Sequence, residues 1–146
     1  MENAKFTIAF LAWYLPVYGL FYLFSLPLTH AYMWFLSLTP WISSGNTLLI
    51  DGSALTLDTA CIGIAIFAMF TSFVIAFGFN FASFLAGIGL IFLLNLLRIF
   101  TLGLAAMTGV FDIVHNFLWP STFFLFAGLA AYLHVRWIRS ISKKES

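Results

Sequence analysis

The sequence predicts an all-α integral membrane protein: a bundle of about four transmembrane helices with one interfacial helix and a short extracytoplasmic β-hairpin. Three observations lead there. Hydrophobic residues make up 63% of the 146 positions and charged residues 8%, with a mean hydropathy of +1.07, a balance that a soluble domain does not sustain. Four apolar runs approach the ~20 residues that a helix needs to cross the hydrocarbon core. The basic residues are few and placed rather than spread, at Lys5, Arg98, Arg136, Arg139, Lys143 and Lys144. Nothing in that distribution offers a surface for nucleic acid, and the length suits a single membrane domain over residues 1–146.

The first apolar run, residues 6–28, exceeds the ~7–15-residue core of a signal peptide and has no small-residue cleavage site behind it, so it is expected to stay as a spanning helix kinked at Pro16. Residues 29–44 are aromatic but broken by Pro40 and too short to span. They predict an interfacial helix held at headgroup depth by Tyr32, Trp34 and Trp41. Residues 47–58 are the one stretch unlike membrane helix, and Asp51-Gly52 between two short runs is a hairpin signal, because its turn needs positive φ. A second span is expected at 61–79, with Asp58 or Thr59 capping its start, and a third at 82–107. The fourth, at 117–138, carries Pro120 in its first turn, where a proline costs little. The remaining residues, 139–146, form a basic cytoplasmic tail, whose end Ser142-Lys-Lys-Glu-Ser146 reads as disordered.

Orientation follows from the positive charges. Arg136, Arg139, Lys143 and Lys144 follow the last span and Lys5 precedes the first, which places both termini in the cytoplasm and fits four crossings of a plasma (inner) membrane. The hairpin and the 108–115 loop then lie outside, together with Asp51, Asp58 and Asp112.

Three residues carry chemistry on that outer side. Arg98 stands about nine residues inside the third span, roughly 13 Å below its outer end at ~1.5 Å per residue. An arginine at a helix centre costs ~2.5–3.5 kcal/mol on the lenient scale and normally faces a polar cavity with a partner. Asn95 and Thr101, three residues to either side, extend a polar stripe. The purely structural alternative is an arginine snorkelling to headgroups. Cys61 is the sole cysteine, so it forms no internal disulfide and leaves two readings, nucleophile or small hydrophobe. Its expected place in the first turn of a helix favours the thiolate, and Gly63 leaves room beside the sulfur for a substrate backbone. His115 closes the second outer loop and suits proton transfer near neutral pH, with Asp112 three residues earlier to orient it. Its alternative is an interface residue. His30 and His134 are read as structural, His134 lying on the cytoplasmic side. A thiol, an imidazole and a guanidinium at one outward pocket are the parts of acyl transfer from a peptide: attack, protonation of the leaving amine and stabilisation of the oxyanion.

Ala60-Cys61-Ile62-Gly63-Ile64 after a hairpin, Asn95-Leu-Leu-Arg98-Ile99 in the next helix and His115 before the last one together resemble the exosortase/archaeosortase family of membrane-embedded cysteine transpeptidases, over roughly residues 45–135. The resemblance implies that Cys61 forms a thioester, that Arg98 takes the family's arginine position and that His115 fills the third catalytic position. It implies as substrate a secreted protein whose C-terminal tail holds a short motif, a transmembrane helix and a basic cluster, with a membrane lipid or lipid-linked acceptor receiving the cleaved protein. No cofactor or metal is implied. Ile62 stands where the family often has Ser or Thr, and the chain reads as a short, core-only member. The alternative class is a small non-enzymatic polytopic membrane protein, a transporter subunit or holin-like oligomer, which leaves Arg98 and the hairpin unexplained. A haem-binding subunit would need two histidines at matching depth, which His30, His115 and His134 do not supply.

Overall fold

A computed structural model describes residues 2–50 and 52–145. Helices dominate, and one small antiparallel sheet joins them. Helix α1 (Glu2–Leu23) is followed after one residue by α2 (Ser25–Leu36). The expected run 6–28 is therefore divided, and the physical reason is Pro27: it has no N–H to return to the Leu23 carbonyl, so the regular ladder fails there. Pro16 lies within α1 without ending it. The expected interfacial segment 29–44 is instead the second half of α2, a loop and the strand Ile42–Ser44. Of its three aromatic anchors only Trp34 is exposed, at 62%, while Tyr32 is fully buried and Trp41 nearly so.

Strands β1 (Ile42–Ser44), β2 (Thr47–Ile50) and β3 (Ser53–Thr56) pair in that order. The expected hairpin is present as β2 and β3, and β1 adds a third strand. Ile50 pairs with Ser53, which leaves a two-residue turn containing Gly52 at φ +82°, the positive value that such a turn demands. Asp51, the other half of the turn signal, lies outside the described residues. Along β2 the pattern has the two-residue period of a half-buried strand: Leu48 and Ile50 are buried and Leu49 is exposed. Those buried side chains, with Leu55 and Leu57, pack on Tyr32, Leu36, Ile99 and Leu102, so the sheet caps one end of the helices.

Helix α3 (Ile64–Phe77) begins three residues later than the expected span 61–79. Gly63 has φ +77°, a left-handed conformation that a right-handed helix cannot include. Helix α4 (Phe81–Thr108) agrees closely with the expected 82–107. Asn80 caps it by accepting the Ser83 N–H at 3.0 Å, and Gly109 at φ +73° ends it. A three-residue turn α5 (Phe111–Ile113) and a π-helical turn Val114–Leu118 lead into α6 (Trp119–Glu145), which carries Pro120 in its first turn and continues as helix through residues expected to be disordered.

Among the described residues, two helices are long and apolar enough to cross a membrane: Ala4–Leu23, with mean hydropathy 1.6, and Phe81–Thr108, with mean hydropathy 2.1. Helix α3 is apolar but has 14 residues. A second buried cluster, formed by Ile66, Phe67, Phe70, Val74, Ile91, Ala127 and Ala130, joins α3, α4 and α6 away from the sheet. Two glycines of α4 admit aromatic rings against the helix backbone. A Cβ at Gly87 would collide with the Phe70 ring, and one at Gly103 would collide with the Trp41 ring. Trp41, stacked on Phe100 at 5.1 Å, thus keys the loop before β1 into a notch in α4.

Candidate functional site

The site is assembled where the turn before α3 meets the middle of α4. Asp58 Oδ1 accepts the Cys61 N–H at 2.7 Å, and Ile62 N–H donates to the Asp58 carbonyl at 3.1 Å. Together these bonds close a tight turn that ends at Gly63. The cysteine therefore lies upstream of α3 rather than in its first turn, and its own N–H is already engaged by a carboxylate. The expectation that free helix N-terminal donors activate the sulfur is corrected by this geometry.

Asn95 connects the turn to the arginine. Its Nδ2 donates to the Cys61 carbonyl at 3.0 Å, and its Oδ1 accepts from Arg98 Nη1 at 2.8 Å. Asn95 is 0% exposed, Arg98 6% and Cys61 8%. A carboxamide suits the place because it offers a donor and an acceptor on opposite sides of one planar group. Asn95 and Arg98 are three residues apart, so a helix stacks them on one face. Gly63 makes the approach possible. An added Cβ there would stand 3.3 Å from Asn95 Cγ, tighter than ordinary packing. The expectation that Gly63 opens a path for a substrate backbone is thus corrected: the space beside it holds the Asn95 side chain.

Around the guanidinium, Cys61, Tyr32 and Asp58 all lie near enough to interact with it electrostatically. The buried Tyr32 hydroxyl approaches the Asn95 carboxamide without meeting hydrogen-bond geometry, while its ring stacks on Phe92 at 4.5 Å. On the other side Arg98 and Thr101 face a cavity of about 130 Å³ walled by Leu94, Leu97, Val114 and Phe126. The Thr101 hydroxyl donates back to the Arg98 carbonyl at 2.8 Å, the local bond a threonine makes inside a helix.

His115 sits on the π-helical turn, half-buried, stacked on Phe111 at 5.3 Å, with its Nδ1 facing Asn116 Oδ1 at 3.4 Å. Its neighbour Val114 is a wall of the Arg98 cavity. Asp112 is exposed on α5, and Asn116 is a described hydrogen-bond partner of the imidazole. The structure therefore joins Cys61, Gly63, Asn95 and Arg98 directly, while His115 follows Val114, a wall of the Arg98 cavity, and Asp112 is exposed. Comparison with protein-family models, characterised proteins and solved structures finds no match. The resemblance drawn from the motifs stands on those motifs alone.

Among the described residues, no cluster of three or more His, Cys, Asp or Glu is placed to hold a metal ion. Tyr32 is the residue that sequence reasoning missed. Its burial beside Arg98 depends on Phe92, sixty positions along the chain, and nothing adjacent to it in the sequence carries that information. His134, read as structural, links three elements: its ring meets Ser83 Oγ at 2.9 Å through Nδ1 and the Gly78 carbonyl at 2.9 Å through Nε2.

Proposed function

We propose that this chain is a membrane-embedded cysteine protease or transpeptidase that cleaves the C-terminal sorting tail of a secreted protein and transfers the protein to a membrane anchor. The observation that carries the reading is the Asn95 bridge, which ties the only cysteine and a buried guanidinium into one neighbourhood. Burying an arginine is expensive, and a chain of four bundled helices needing only apolar packing has no use for the expense. The reading includes four crossings, with the sheet on the extracytoplasmic side and both termini in the cytoplasm. Two helices of spanning length, an apolar α3 and a basic end to α6 support that arrangement.

In the proposed reaction His115 takes the Cys61 proton and Sγ attacks the scissile carbonyl carbon. The oxyanion forms against the Arg98 guanidinium. The C–N bond then breaks, the leaving amine takes the proton from His115, and a thioester remains on Cys61. An acceptor nucleophile, or water, attacks the thioester, the C–S bond breaks and the thiol is regenerated. Attack needs the carbonyl ~3–3.5 Å from the sulfur, so substrate entry must displace part of the apolar cover over Cys61, and the π-helical turn carrying His115 must close on the thiol. Cys61→Ala should abolish processing of a secreted reporter with such a tail while the protein still inserts in the membrane. Processing that survives the substitution ends the enzymatic reading.

The second reading, a small non-enzymatic polytopic membrane protein, has one observation in its favour. Cys61 is packed within the apolar cluster with Leu57, Ile62 and Ile64 and is not a wall of the cavity beside Arg98.

A further inference from the structure

At the opposite end from the sheet, α4 and α6 diverge around a groove of about 390 Å³. Its length is apolar and shallowly walled by Ala86, Leu90, Ala130 and Leu133, and its end is polar, with Ser83, His134, Arg136 and Ser140. The polar end is fixed in place, because His134 is 1% exposed and held through both ring nitrogens, by Ser83 Oγ and by the Gly78 carbonyl. Arg136 and Ser140 also wall a second cavity of about 430 Å³, to which Tyr132 and Arg139 contribute. Arg136 therefore stands where the two cavities meet, with Arg139 three residues on in the second cavity and Trp137 lining the apolar slot. Among the described residues, no Asp or Glu is a wall of either cavity.

We infer that this groove binds one anionic phospholipid, with its phosphate at Arg136 and its acyl chain along Ala86, Leu90 and Leu133. Charge complementarity selects the headgroup: basic pockets between membrane helices recognise anionic lipids, each Lys or Arg contributing ~1 kcal/mol near the surface. The apolar length selects a lipid over a free anion, since a phosphate ion alone would leave those walls uncovered. An aromatic residue beside the basic pair matches the depth at which headgroups meet chains. The inference rests on the membrane reading and is independent of any reaction at Cys61.

The test is native mass spectrometry of the full chain released from detergent micelles containing phosphatidylglycerol or phosphatidylcholine with identical chains. Parent protein should retain one phosphatidylglycerol in preference to phosphatidylcholine, and millimolar inorganic phosphate should not displace it. Arg136→Gln should lower retention about fivefold, and Arg136→Lys should preserve it. Ala86→Phe should also abolish retention by placing a ring in the slot. Ala86 is exposed, so this ring is not driven into the core, and Ala86→Leu provides a graded second variant. Equal retention of the two lipids, displacement by inorganic phosphate, or undiminished retention in both Ala86 variants would each overturn the inference.

Discussion

Replacing Asn95 with alanine separates the cysteine turn from the arginine, and the size of the effect can be worked from the two bonds lost. The bond from Arg98 Nη1 at 2.8 Å is charge-assisted and worth ~1.5–3 kcal/mol, and the bond to the Cys61 carbonyl at 3.0 Å is a neutral one worth ~0.5–1.5 kcal/mol. Both are buried, so the donor and acceptor left behind have little water to turn to. A loss of about 2 kcal/mol in the local stability of the turn raises the population of its open form about 30-fold. The lone cysteine makes that population measurable. Alkylation of Cys61 by a maleimide in mild detergent, followed as a mass shift, should be slow in the parent and about 30-fold faster in Asn95→Ala. Leu93→Ala, at an exposed position of the same helix, controls for general weakening of α4 and should leave the rate near the parent's. If Asn95→Ala is alkylated at the parental rate with an unchanged unfolding midpoint, the bridge does not hold the turn, and the case for a shared site at Cys61 and Arg98 fails with it.

Other perturbations follow from the packing. Gly103→Ala forces a methyl group into the Trp41 ring and should cost ~1–3 kcal/mol, read as a lower unfolding midpoint that Trp41→Leu partly restores. Gly63→Ala combines a positive φ with crowding against Asn95 and should cost at least ~1–2 kcal/mol from backbone strain, together with faster Cys61 alkylation. His134→Phe removes the ring nitrogens from Ser83 Oγ and from the Gly78 carbonyl; Ser83 keeps its bond to the Asn80 carbonyl at 3.2 Å, but the lost link to Gly78 should lower the midpoint by an amount equivalent to ~1–3 kcal/mol. For topology, single cysteines are placed in a Cys61→Ala background. Gly45→Cys in the sheet turn should react with an impermeant maleimide from outside intact cells, and Ser140→Cys in α6 should react after permeabilisation only. The reverse pattern would invert the proposed orientation.

Local chemistry carried much of the architecture. An apolar run bounded by Asn80 and Gly109 describes α4 almost to the residue, because one end has a side-chain cap and the other a left-handed glycine. Asp51-Gly52 announces the hairpin for a similar reason. Asn95 and Arg98 could be paired from spacing alone, since three residues along a helix is one neighbour on the same face. Other features depended on long-range packing. Tyr32 and Trp41 have the character of interfacial aromatics, yet Phe92 and the notch at Gly103 draw them inside. Gly63 was legible as a place with room beside it, but the side chain that fills that room comes from residue 95, and its positive φ was not foreseen. Pro27 shows a different failure: its effect on the Leu23 carbonyl is local, but within a long hydrophobic run the apolar signal conceals it.

The Asn95 carboxamide also works as a rigid strut. Its two ends are engaged at once, one on the peptide plane of residue 61 and the other on the guanidinium, and the planar group between them cannot stretch. An anion that drew Arg98 toward the cavity on its far side would have to pull that carboxamide away from the Cys61 carbonyl or drag the turn along with it. Any such displacement would therefore be felt at the backbone carrying the sulfur.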